Sequence, residues 1–134
     1  HSFPTRRSSD LIKEVDVHYD YQPLIDEEEE EDAMGIEPKG KIKELDLDKC
    51  ILLEKLSINN QRLSSINLSN NKNLIELNCS ENHLTNLDIT HNKKLETLDC
   101  AHNRLEKLDI SKNKKLTSIK MEGNKSASIF QFCR

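Results

Sequence analysis

From Leu53 onward the chain repeats itself every 21 residues. The segments LEKLSINNQRLSSINLSNNKN, LIELNCSENHLTNLDITHNKK and LETLDCAHNRLEKLDISKNKK are followed by a partial copy, LTSIKMEGNKSASIFQF. With Leu53 as position 1, apolar side chains recur at positions 1, 4, 6, 11, 14 and 16, Asn or Gln stands at 9 and Asn at 19. On a helix turning about 100° per residue, positions 1 and 6 lie about 140° apart and 4 and 6 about 160° apart, so no single apolar face forms. An amphipathic helix is excluded. The LxL part alternates in and out as a short strand does, and the Lxx part turns the chain. Each unit is expected to be a flattened coil of two arcs.

A lone coil cannot be stable, because its inward aliphatics bury too little surface to offset the entropy of ordering 21 residues. Stacked coils supply ladder hydrogen bonds and cover each other's apolar edges, so the fold class is a repeat solenoid with little or no helix. Aromatics make up only 4% of the chain and Trp is absent, so the core has to be aliphatic. Gln61, Asn82, Asn103 and Asn124 form one amide column at position 9, and Asn71, Asn92 and Asn113 a second at position 19. Inward amides at bends satisfy backbone groups that are costly to bury unpaired, so both columns read as structural. Cys79 and Cys100 share position 6 with Ile58 and Met121, which makes them small inward hydrophobes; a disulfide between adjacent rungs would strain the ladder.

The run LxxLxLxxNxL, seen as LIELNCSENHL and LETLDCAHNRL, is the leucine-rich-repeat signature. The 21-residue unit with Cys at position 6 resembles the bacterial cysteine-ladder class, similar to internalin-type surface proteins and to Bacteroidetes repeat proteins. That resemblance implies short parallel strands, a non-catalytic scaffold that binds a protein or a surface glycan, and an extracellular or cell-surface location.

The array is expected over 42–125, opening with a half unit in which Ile42, Leu45 and Leu47 take positions 11, 14 and 16. Upstream, IKEVDVHYD echoes IKELDLDKC, so 12–21 is expected to hold an earlier strand or half repeat. Between them, 22–41 carries seven consecutive acids from Asp26 to Asp32 with flanking Pro and Gly, and reads as an acidic loop or linker. At 126–134 the pattern decays or is truncated: Ser126 replaces the expected Leu, and unbroken periodicity puts Gln131 in an inward slot. HSFPTRRSSDL, residues 1–11, matches without a mismatch the translation of a common sequencing adapter and has no apolar core of a leader peptide. With no initiator Met, the chain is expected to be part of a longer reading frame.

Little in the sequence points to catalysis. CAHN suggests a Cys100 and His102 pair, yet position 6 points inward and position 8 lies on a bend, and no third group orients a base. His83 and His102 lack a third metal ligand, and no CxxC, HExxH or phosphate-binding glycine loop occurs. No metal, cofactor or small-molecule substrate is expected. The NLS, NCS and NKS triplets fit a glycosylation pattern by chance in an Asn- and Ser-rich repeat. No run of 18 apolar residues exists to span a membrane.

The outward strand positions 3, 5, 7 and 8 form the candidate binding face. They are Lys55, Ser57, Asn59 and Asn60; Glu76, Asn78, Ser80 and Glu81; Thr97, Asp99, Ala101 and His102; then Ser118, Lys120 and Glu122. None is Trp, Tyr or Arg, the types that dominate interface hot spots. Lys72, Lys93 and Lys114 at position 20, beside Lys94 and Lys115, align into a basic strip. The net charge of -4 argues against nucleic acid as the main partner. The leading expectation is a protein-binding scaffold; the alternatives are polyanion binding along the strip, or a repeat segment attached to a catalytic domain.

Overall fold

The computed structural model describes residues 11–17 and 40–125, and the backbone of 130–131. Residues 1–10, the acidic run 26–32 and Ser126 lie outside the described residues. The strands are β1 Glu14–Val17, β2 Lys55–Ile58, β3 Glu76–Asn78, β4 Thr97–Asp99, β5 Leu108–Asp109, β6 Ser118–Lys120 and β7 Phe130–Gln131. No α-helix occurs among the described residues. One parallel sheet runs β1-β2-β3-β4-β6, and β5 pairs with β7 in a second. Leu56, Leu77, Leu98 and Ile119 stand in register across β2, β3, β4 and β6, as a 21-residue period requires. The first arcs of the coils thus form a five-stranded ladder, while the second arcs contribute a second ladder only as the β5–β7 pair among the described residues.

The apolar columns fill the space between the arcs. Leu53, Ile58, Leu63, Leu74, Leu84, Ile89, Leu95 and Leu105 are fully buried in one continuous core. Each coil turns twice in quick succession between the second ladder and the next strand. In the middle coil Asn92 N donates to Ile89 O at 3.1 Å and Leu95 N to Asn92 O at 3.1 Å, and the same two bonds recur around Cys50, Asn71 and Asn113.

The amide columns lie at the two bends. Asn92 Nδ2 donates to Leu68 O at 3.1 Å and to Asn71 O at 2.9 Å, both in the preceding coil. Asn71 and Asn113 repeat this pattern, reaching Leu47 and Cys50, and Ile89 and Asn92. At position 9, Asn82 Oδ1 accepts from Leu63 N at 3.1 Å while its Nδ2 donates to Ile58 O at 2.8 Å and Cys79 O at 3.1 Å. Asn103 and Asn124 do the same one and two coils on.

The start of the array differs from a separate half unit. β1 pairs with β2 so that Val15 faces Leu56 and Val17 faces Ile58, which puts Ile12–Val17 at positions 1 to 6 of a coil. Ile42–Cys50 supplies positions 11 to 19 of that same coil: Arg62 N donates to Ile42 O at 2.9 Å, as His83 N does to Leu63 O at 2.8 Å. Residues 18–39 therefore join the halves of one coil. At the other end, Phe130 faces Leu108 and Gln131 faces Asp109, an offset of 22 residues. An unbroken 21-residue count would set Gln131 level with Ile110; the backbone register is instead shifted by one residue.

Candidate functional site

The sheet's outer face is a shallow concave groove of about 400 Å³, lined by positions 3 to 5 of five strands. Two rows of side chains cross it. The position-3 row is Glu14, Lys55, Glu76, Thr97 and Ser118; the position-5 row is Asp16, Ser57, Asn78, Asp99 and Lys120. Parallel pairing without offset puts like positions side by side about 4.8 Å apart. Lys55 Nζ approaches Glu76 Oε2 at 3.8 Å with both side chains about half exposed, a pairing that contributes under about 1 kcal/mol.

Two residues of the position-5 row are already engaged within their own coils. Asn78 Oδ1 accepts from Ser80 N at 3.1 Å and Ser80 Oγ at 2.8 Å, and Asp99 Oδ1 accepts from Ala101 N at 3.1 Å. These Asx turns end the strands and bend the chain away from the face. Position 7 consequently leaves the groove. Ser80 and Ala101 are buried, so their expected place on the binding face is corrected: strand alternation stops at the Asx turn, and position 7 no longer follows position 5. Asn59 is half-buried, and its Oδ1 has no hydrogen-bond partner.

Position 8 holds a feature that the apolar pattern did not reveal. Asn60, Glu81 and His102 have φ of 55°, 56° and 54°, and Gly123 in the same column has 75°. The backbone turns left-handed there in each of these four coils, and the glycine in the last one was the readable signal. His102 is exposed, and its ring lies where a Cβ on Gly123 would fall.

Cys79 and Cys100 are fully buried free thiols following β3 and β4. Burial pushes the Cys79 thiol well up, with Cys100 and Asp99 adding to it. Burial, then the charge of Asp99, pushes Cys100 up to about 12. A thiol held neutral in this way is a poor nucleophile, and His102 sits on the exposed bend instead. Among the described residues no three His, Cys, Asp or Glu side chains gather as a metal site, and no helix is long and apolar enough to cross a membrane.

Short parallel strands stacked without offset, amide ladders at both bends and an aliphatic core define a leucine-rich-repeat solenoid. No protein-family model and no curated protein matches the chain. Among solved structures it is similar to internalin InlF of Listeria monocytogenes, at 21% identity and a TM-score of 0.58 over 70% of this chain and 28% of that one. It is also similar to the functional domain of InlJ from the same organism, described as including a cysteine ladder. That likeness has 29% identity and a TM-score of 0.49, covering 62% of this chain and 23% of that one. The chain spans about a quarter of the length of these structures.

Proposed function

We propose that the array is a non-catalytic binding scaffold, part of a longer bacterial protein, which takes a protein partner on its sheet face. The observation that carries this reading is the pair of in-register polar rows on five strands, open to solvent above a rigid core. Lys55, Ser57, Glu76, Thr97, Asp99, Ser118 and Lys120 are the residues that meet the partner, with His102 and Glu81 at the rim. The fold shared with internalin InlF supports the scaffold role. Without an aromatic or Arg anchor the contact is polar and salt-sensitive; a surface glycan would meet the same hydroxyl, amide and carboxylate groups.

Photo-crosslinkers placed at Ser57 and Thr97, against others at Glu106 and Lys115, test this directly. A partner retained by the full chain should crosslink from the sheet positions and be lost in Lys55→Glu/Lys120→Glu. Crosslinking confined to Glu106 or Lys115 overturns the sheet face as the site, and hydrolase activity that requires Cys100 overturns the non-catalytic reading.

A further inference from the structure

The turn edge that precedes the strands has a charge character unlike the rest of the molecule. Segments 67–73, 88–94 and 109–115 carry Lys72, Lys93, Lys94, Lys112, Lys114 and Lys115 against only Asp88 and Asp109. Six lysines against two aspartates leave four positive charges on these three turns, in a chain whose net charge is -4; the equivalent turn of the first coil, 46–52, carries Asp46 and Asp48 against Lys49 and lies outside the basic row. All six lysines are exposed. Among the described residues none of them is ion-paired; the surface pairs Lys55–Glu76 and Lys125–Glu106 lie elsewhere. None lines the sheet groove, apart from which the edge forms its own surface.

The fold also aligns these cations. The two successive turn bonds are the same around Asn71, Asn92 and Asn113, so position 20 leaves each coil in the same direction. Lys72, Lys93 and Lys114 therefore repeat at one coil spacing, about 4.8 Å. Lys94 is further held in place: its Nζ donates to Asn73 Oδ1 at 2.8 Å, and Asn73 Nδ2 donates to Ile51 O at 3.0 Å. An ammonium anchored between coils loses less freedom when an anion binds. In the first coil the exposed Ile51 takes position 20, so the row begins at Lys72 and strengthens toward Lys115.

We propose that this lysine row is a second binding surface, independent of the sheet groove, for a linear anionic polysaccharide. The spacing is close to the length of one sugar ring in an extended chain, so uronate or sulfate groups on successive sugars meet successive coils. The three segments contain no Arg, Phe, Tyr or Trp, so they lack the side chains on which bases and their stacked edges are best held. Nucleic acid is disfavoured on that ground. Binding comes from point charges through counterion release and is steeply salt-dependent.

The test uses the full chain and immobilised heparin, a sulfated and uronate-bearing polysaccharide. Wild type should bind at about 0.1 M salt, with affinity falling steeply as salt rises. Lys72→Glu/Lys93→Glu/Lys114→Glu should weaken binding by about tenfold or more and flatten the salt slope. The Gln triple at the same sites, which changes charge by half as much, should fall between. Lys41→Glu/Lys43→Glu/Lys107→Glu makes the same charge change at exposed sites off the row and should stay within about threefold of wild type. Circular dichroism verifies that each variant is folded. Absence of wild-type binding, equal weakening by the two Glu triples, or tighter binding of oligothymidylate than of heparin each overturns the proposal.

Discussion

At position 15 of successive coils stand Asn67, Asp88 and Asp109, and each accepts the backbone N–H two residues on, at 3.0, 3.0 and 2.8 Å. Asn67 and Asp88 also accept the hydroxyl of Ser69 and Thr90. The Thr90 hydroxyl and N–H hold the Asp88 carboxyl below the ordinary carboxylate range, and Ser111 does the same for Asp109. A carboxyl lower in the folded than in the unfolded chain contributes stability above its unfolded value of about 3.9, and loses it as pH falls through the lower folded value. The wild-type melting midpoint should therefore fall between about pH 6 and pH 2 by more than that of Asp88→Asn/Asp109→Asn. Asn67 shows that the amide makes the same turn, so equal falls in both proteins would remove these carboxylates as the cause. The left-handed position-8 column gives a second prediction. Glu81→Gly should raise unfolding free energy by about 0.5 to 1 kcal/mol, since a left-handed side chain costs about 1 to 2 and glycine returns part of that in entropy. Gly123→Ala should cost about 1 to 2 kcal/mol; the exposed His102 ring can swing aside, so the backbone penalty dominates. Denaturant melts measure both. None of this was visible in the apolar pattern, which reports which residues face inward but not where the chain turns left-handed or which carboxylate closes a turn.

Each coil depends on its neighbour through the amides, and the bonds say how much. Asn92 donates to two buried carbonyls, yet Leu68 O also accepts from Asn71 N, and Asn71 O from Leu74 N. Removing the amide thus weakens two carbonyls without orphaning them. Asn92→Ala should cost about 2 kcal/mol, between one ordinary hydrogen bond and two fully unsatisfied groups. Asn124→Ala, at a half-buried site, should cost less, and a smaller loss at Asn92 than at Asn124 would contradict the ladder. Period alone places these amides inward, but identity of their partners in the neighbouring coil needs the third dimension, because those lie 19 to 24 residues away. The first coil shows what period misses. Gly40 lies 21 residues before Gln61 and occupies the head of the same column. A Cβ on Gly40 would overlap the Gln61 amide, and the longer Gln uses that room to accept from Ile42 N at 3.2 Å. A column search that accepted Gly at position 9 would have joined Ile12–Val17 to Ile42–Cys50 as one coil; the apolar pattern, broken by residues 18–39, could not.

For the whole molecule the governing fact is that every full coil carries the same register, so the array behaves as a one-dimensional stack whose stability is a sum of coil and interface terms. Excising 74–94 tests this. The cut joins Asn73 at position 21 to Leu95 at position 1, leaving the period intact. Thr97 then faces Lys55, Leu98 faces Leu56, and Asn103 Nδ2 finds Ile58 O where it had Cys79 O. Among the described residues the ion pair of the sheet face that is given up is Lys55–Glu76, which is weak. The shortened chain should fold with the same strand signature in circular dichroism and unfold cooperatively, with lower stability because one interface is gone and a smaller m-value because less surface is exposed. Hydrogen exchange should still be slowest in the coils flanked on both sides. Excising 77–97 leaves the same period and should give the same result, whereas removing 74–93, one residue short, leaves Lys94 as an extra residue in the turn before Leu95, so that Leu95 N no longer stands three residues after the position-19 Asn whose carbonyl it needs, and the chain should be less stable than the in-period ones. Equal stability of the one-residue-short chain and the in-period ones would show that register does not hold this solenoid together.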